Sequence, residues 1–168
     1  MIQDFLKQVK GCKMAQENIN DEKKQTAQES GGGFSEEEKA AMKERAKELK
    51  REKSSKSKTD GEQAVLEKIH EMEADDKKIA SGLHELIKQN FPQLGFKTWY
   101  GFPAYTKNGK VITFFQASKR FDERYSTLGF SGDAKLDEGV LWPTSYALLE
   151  WNDEIEDEIK RLIKKAVE

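Results

Sequence analysis

The chain has few of the residues that fix the chemistry of many small proteins. Its only cysteine, Cys12, excludes an internal disulfide, a cysteine-based zinc cluster and a CxxC redox pair. Its two histidines, His70 and His84, each precede a glutamate, but neither has a second histidine four residues later, as a zinc-protease helix requires. We therefore predict a non-enzymatic protein and place both histidines at the surface.

Net charge and long apolar runs are also lacking. The formal net charge of −2 over 168 residues gives no overall attraction to nucleic acid. No stretch approaches the length of about 20 apolar residues that crosses a bilayer, and the first residues lack the apolar run of a signal peptide. We expect a cytoplasmic protein without a nucleic-acid or membrane partner, and the oligomeric state stays open.

The charged residues are distributed so that three regions can be separated. Residues 1–33 are predicted to be a flexible leader that begins with a short amphipathic helix and ends in three glycines. Residues 34–60 are predicted to be a charged helical arm and a linker, since Ser35 and Glu38 form a capping box. Residues 61–168 carry the apolar patterns of a compact domain.

Periodic apolar residues predict the elements of this domain. Two amphipathic helices come first and a third, capped by Asn152, comes last. Between them, the predicted strands lie near 96–106, 110–117, 124–130 and 139–149, with a helical turn near 133–137. Short connections between consecutive strands favour an antiparallel sheet. The predicted fold is an α+β two-layer sandwich with the helices packed on one face of the sheet.

The aromatic segment that includes Trp99 and Tyr105 is the most informative part of the domain. Asn108-Gly109 predicts a two-residue hairpin turn after it. Gly101 tolerates unusual backbone angles and Pro103 cannot donate to a ladder, so the first strand is expected to bulge or to lie at an edge there.

Three stretches of this sequence, residues 34–45, 97–105 and 136–144, carry a resemblance to a known family. They resemble the YdhG-like family of small bacterial domains of unknown function, some members of which are described as frataxin-like intracellular iron chaperones. The resemblance covers residues 34–168, although Gly101-Phe102-Pro103 stands where the family usually has Gly-Met-Pro. It implies a frataxin-like sandwich and iron handling, although a shared fold alone does not transfer an activity.

Iron delivery requires surface carboxylates that bind a hard cation weakly. The candidate metal ligands form two groups, Glu71, Glu73, Asp75 and Asp76 between two predicted helices, and Asp153, Glu156 and Asp157 on the last helix. Acids are also expected in the first turn of any helix, because they complement its dipole. The alternative interpretation of both groups is a solvated helix end.

A second candidate site is an apolar pocket for a small ligand. Its predicted lining is aromatic: Trp99, Tyr100, Phe102, Tyr105 and Trp142. Irregular backbone near Gly101 favours a concave surface, whereas ordinary core packing is the alternative interpretation of the same aromatics. Two functions therefore stay open. One is an iron chaperone with a protein partner that accepts the iron, and the other is a small-molecule-binding or protein-interaction module.

Overall fold

The computed structural model describes residues 36–54 and 58–168, and Glu36–Glu168 form one compact unit. The predicted leader, residues 1–33, lies outside the described residues. The helices are α1 Glu36–Ser54, α2 Lys58–His70, α3 Ala74–Asn90 and α4 Asp153–Val167. The strands are β1 Gly95–Trp99, β2 Phe102–Lys107, β3 Lys110–Gln116, β4 Ser126–Phe130 and β5 Ser145–Leu148. A short 3₁₀ helix spans Lys119–Phe121.

The five strands form one antiparallel sheet in the order β1-β2-β3-β4-β5. Each strand pairs with its neighbour in sequence, through tight turns after β1 and β2 and through longer loops after β3 and β4. The α+β fold with an antiparallel sheet is therefore confirmed.

One buried cluster joins the helices to the sheet. Val65 of α2, Leu83 of α3 and Ile163 of α4 belong to it, together with Phe115 and Leu128, which face each other across β3 and β4. Because neighbouring residues of a strand point to opposite faces, Phe114 lies on the other side of the sheet. There its ring packs edge-on against the Trp99 ring, with centroids 5.0 Å apart.

The aromatic segment folds as two strands, and the prediction of one strand over 96–106 is wrong. Tyr100 and Gly101 form a turn between β1 and β2, with φ angles of 54° and 80°. Pro103 lies in β2, an interior strand, where the ladder to β3 begins at the next residue, Ala104. The predicted bulge is displaced too, since the register shifts between Tyr105 and Thr106.

The connections differ from the prediction at two further points. The predicted linker ends early, because α2 already begins at Lys58. Residues 133–137 form no helical turn, and the 3₁₀ turn follows β3 instead. The predicted cap of α4 is confirmed, since Asn152 Oδ1 accepts a hydrogen bond from the Ile155 amide at 3.0 Å.

Candidate functional site: a cleft beside the Tyr100-Gly101 turn

A cleft of about 390 Å³ opens where α1, the α2–α3 junction, the β1–β2 turn and the segment after β3 meet. Its apolar wall includes Met72, Phe102 and Ala117, and its charged rim includes Glu73, Lys119 and Arg120. The cleft therefore combines apolar surface with charges of both signs.

The turn at the edge of the cleft is held by a carboxylate from α1. Glu48 is buried, and it accepts hydrogen bonds from the Tyr100 amide at 2.9 Å and the Gly101 amide at 2.7 Å. Arg45 lies one turn earlier on α1, where its Nη1 is 3.3 Å from Glu48 Oε2 and its guanidinium lies 5.7 Å from the centre of the Tyr100 ring. These contacts stabilise Tyr100 in a left-handed conformation, which costs a residue with a side chain about 1–2 kcal/mol.

Arg120 binds the opposite side of the same turn. It donates a hydrogen bond from Nη1 to the Tyr100 carbonyl at 3.1 Å, and its guanidinium lies 4.7 Å from the centre of the Phe102 ring. A Cβ atom at Gly101 would lie 2.5 Å from Arg120 Nη1. An added side chain at residue 101 would therefore be strained by the positive φ and would push the flexible end of Arg120 away from the turn.

Asp76, in the first turn of α3, fixes the loop that carries Lys119 and Arg120. Its carboxylate accepts hydrogen bonds from the Ser118 amide and hydroxyl, the Lys119 amide and the Ser126 hydroxyl. Burial alone would raise the pKa of Asp76, but these hydrogen bonds outweigh burial and lower it. Asp76 is thus an ionised anchor for the cleft wall.

Lys68 contributes a paired charge where α2 faces α1. Its Nζ lies 2.9 Å from Glu71 Oε2 and 3.4 Å from Glu44 Oε2. Burial alone would lower the pKa of Lys68, but the two carboxylates outweigh burial and raise it. This cation therefore ties the two helices together across the cleft.

The predicted aromatic residues separate into two sets. Trp99, Tyr100 and Phe102 surround the turn, and Phe102 lines the cleft. Tyr105 is completely buried, and burial raises the pKa of its hydroxyl. Trp142 packs half-buried against the core from the loop before β5. The prediction that Tyr105 lines an open pocket is therefore wrong, because its ring belongs to the core.

The predicted acidic residues are likewise divided. Glu71, Glu73 and Asp76 line the cleft, whereas Asp75 is exposed on α3. Asp153, Glu156 and Asp157 lie together at the start of α4. Within residues 36–54 and 58–168, no group of three or more His, Cys, Asp and Glu side chains is arranged to hold a metal ion. Iron binding by these acids stays a prediction.

His84 is buried, contrary to the prediction. Its Nδ1 lies 3.5 Å from the Tyr105 hydroxyl. Its Nε2 has no hydrogen-bond partner among the described residues and lies 3.6 Å from Glu62 Oε1. Burial lowers the pKa of His84, and the nearby Glu62 carboxylate opposes that shift only in part. The imidazole is therefore held in its neutral form.

Several residues of the site were absent from the sequence-based candidates, among them Glu48, Lys119 and Arg120. The only local signal for Glu48 is its spacing from Ala41, Glu44 and Arg45, which together form the inward face of α1. Lys119 and Arg120 have no local signal, because the Asp76 carboxylate that positions their loop lies more than 40 residues earlier in the sequence.

No family model, curated protein or solved structure matches this chain. The resemblance to the YdhG-like family therefore stays a prediction. In the part of the chain that the structure describes, no helix is both long enough and apolar enough to cross a bilayer.

Proposed function

We propose that this protein is a binding domain whose cleft takes a small ligand with an apolar part and charged groups of both signs, such as an amino acid or a dipeptide. The proposal rests on one observation: buried carboxylates fix both loops around the cleft. Glu48 holds the β1–β2 turn and Asp76 holds the segment after β3. Both loops are therefore ordered before the ligand arrives, which reduces the entropic cost of binding.

The lining supports a ligand of this chemistry. Phe102 and Met72 offer apolar surface, Lys119 and Arg120 offer cations for a carboxylate, and Glu73 offers an anion for an ammonium group. The volume of about 390 Å³ falls within the range of about 300–1,000 Å³ that is usual for small-molecule sites.

The state of Asp76 favours binding over metal delivery or acid–base chemistry at this cleft. Its two oxygens already accept hydrogen bonds from Ser118, Lys119 and Ser126. A metal ion or a substrate proton would have to displace those bonds and release the loop. We therefore assign Asp76 a positioning role.

A ligand screen tests this proposal. The protein is titrated with a panel of amino acids and dipeptides, and binding is measured by calorimetry and by the amide chemical shifts of Ala117 and Lys119. For a ligand that binds, Lys119→Ala is expected to weaken affinity about tenfold through the loss of one charge-assisted contact. Lys78→Ala, an exposed lysine of α3 outside the cleft, is the matched control and is expected to bind normally.

Two results contradict the proposal. One is a panel in which no compound moves the Ala117 and Lys119 amide signals. The other is a ligand that binds Lys119→Ala as tightly as it binds the wild-type protein.

A further inference from the structure

Helix α1 is held against the rest of the unit by polar contacts. Among its described side chains, residues 36 and 38–50, Glu48 is the buried one, and its apolar residues Met42 and Leu49 are each 44% exposed. Other contacts from α1 across the cleft include the Glu44–Lys68 ion pair and the stacking of Arg45 on Tyr100. Among the described side chains of α1, the Glu48 carboxylate is therefore the one that the rest of the unit encloses, and its two hydrogen bonds to the β1–β2 turn contribute to the docking of the helix.

The place that Glu48 occupies has the chemistry of a carboxylate receptor. Two consecutive residues with positive φ, Tyr100 and Gly101, direct their amide N–H groups at the two oxygens of one carboxylate. Backbone N–H groups that converge in a turn in this way bind anions. Gly101 also lines the cleft, so this receptor borders the proposed ligand site.

We propose that the Tyr100 and Gly101 amides are the carboxylate-binding site of the cleft, that Glu48 occupies this site when no ligand is bound, and that the carboxylate of a small ligand replaces Glu48 and releases α1. This inference rests on the proposed function and adds the ligand group that is recognised and the helix that regulates access. The exchange leaves the Tyr100 and Gly101 amides paired, since one carboxylate replaces another on these two donors. Water then hydrates the released Glu48 carboxylate.

Glu48 belongs to the same chain as the Tyr100 and Gly101 amides, and this determines which free carboxylates can displace it from them. An intramolecular group acts at a high effective concentration, so a simple carboxylate such as acetate does not displace it. A ligand that also contacts Phe102 and Lys119 gains binding energy that acetate lacks. Acetate is expected to enter the receptor only when the Glu48 side chain has been removed.

Chemical rescue of Glu48→Ala with acetate tests the receptor directly, in the full chain and without any cleft ligand. The amide signals of Tyr100 and Gly101 are followed by NMR during addition of sodium acetate, with sodium chloride at equal concentration as the control. In Glu48→Ala, acetate is expected to return both signals toward their wild-type positions, in a saturable way. In Glu48→Gln, whose side chain still fills the place, acetate is expected to leave both signals unmoved.

Hydrogen exchange of the wild-type protein is the second measurement, and it does not depend on the folding of a variant. If α1 is released as a unit, the Tyr100 and Gly101 amides exchange together with the amides of α1 and faster than the β2–β3 ladder. Absence of acetate rescue in a folded Glu48→Ala, or exchange of these two amides only through global unfolding, would overturn the inference.

The failure of this inference can be told apart from the failure of the proposed function. A ligand that moves the Ala117 and Lys119 signals but leaves the Tyr100 and Gly101 amides and α1 unchanged contradicts the carboxylate exchange and leaves the binding cleft intact. Acetate rescue of Glu48→Ala, together with a panel in which no compound binds the cleft, supports the carboxylate receptor and contradicts the ligand class of the proposed function.

Discussion

Ser118 donates two hydrogen bonds to one oxygen of Asp76, from its backbone nitrogen at 3.1 Å and from its hydroxyl at 3.0 Å. This contact joins the first turn of α3 to the end of β3, and with the Lys119 amide it positions the basic wall of the cleft. The fold and the candidate site therefore depend on the same buried carboxylate.

Replacement of Asp76 by alanine is expected to lower the free energy of unfolding by more than about 3 kcal/mol, because several donors lose a charged acceptor at once. Chemical denaturation measures this loss. Asp75→Ala is the matched control, since Asp75 is the exposed neighbour in the same helical turn, and we expect it to change stability little. Equal losses in the two variants would contradict the role of Asp76.

The lowered pKa of Asp76 also predicts an acid dependence. The unfolded chain takes up the proton near the ordinary pKa of 3.8, whereas the folded chain resists it. The stability from this carboxylate is therefore complete above that pH and is lost as the pH falls through the lower folded pKa. In Asp76→Asn this loss below pH 3.8 should disappear from denaturation curves measured across the acid range, and its persistence would show that another group causes it.

His84 predicts a second pH dependence, at higher pH. Burial lowers its pKa below the ordinary value of 6.5, so below that pH the unfolded chain binds a proton that the folded chain excludes. The free energy of unfolding is expected to fall as the pH decreases from 6.5 toward the folded pKa, and to level off below it. His84→Gln should flatten this slope, while His70→Gln, at an exposed residue of α2, should retain it. An unchanged slope in His84→Gln would contradict the account.

Two glycines with the same φ angle allow the cost of backbone strain to be measured apart from the effect of a side-chain contact. Gly101 and Gly109 both have φ of 80°, but among the described residues an added Cβ meets Arg120 at residue 101 and meets nothing within 4 Å at residue 109. Gly109→Ala is expected to cost about 1 kcal/mol for the backbone alone. Gly101→Ala should carry a similar backbone cost and should also push the flexible end of the Arg120 side chain away from the turn, so NMR should show the Arg120 signals moving in this variant and not in Gly109→Ala. Unmoved Arg120 signals in a folded Gly101→Ala would contradict the contact.

The fold class could be predicted because its signals are local. Asn108-Gly109 forms the predicted hairpin turn, with φ of 53° and 80°, and the spacing of apolar residues located the helices. Tyr100-Gly101 adopts nearly the same angles, 54° and 80°, yet tyrosine gives no such signal. What stabilises that turn is Glu48, more than 50 residues earlier in the chain.

The candidate site could be predicted only in part for the same reason. Phe102 was identified because Gly101 and Pro103 on either side of it indicate irregular backbone, and the structure places Phe102 at the cleft. Tyr105 was assigned to the pocket because composition does not reveal which face of a strand a ring occupies when both faces are apolar. Lys119 and Arg120 depend on hydrogen bonds between distant segments, which periodicity does not report.

The most direct test of the binding cleft is a crystal structure of the protein grown together with the tightest ligand of the amino-acid and dipeptide panel. The account predicts ligand density over the Phe102 ring, with a carboxylate on the Tyr100 and Gly101 amides and Glu48 displaced from them. A cleft without ligand density, in crystals grown at a saturating concentration of a compound that binds in solution, would contradict it.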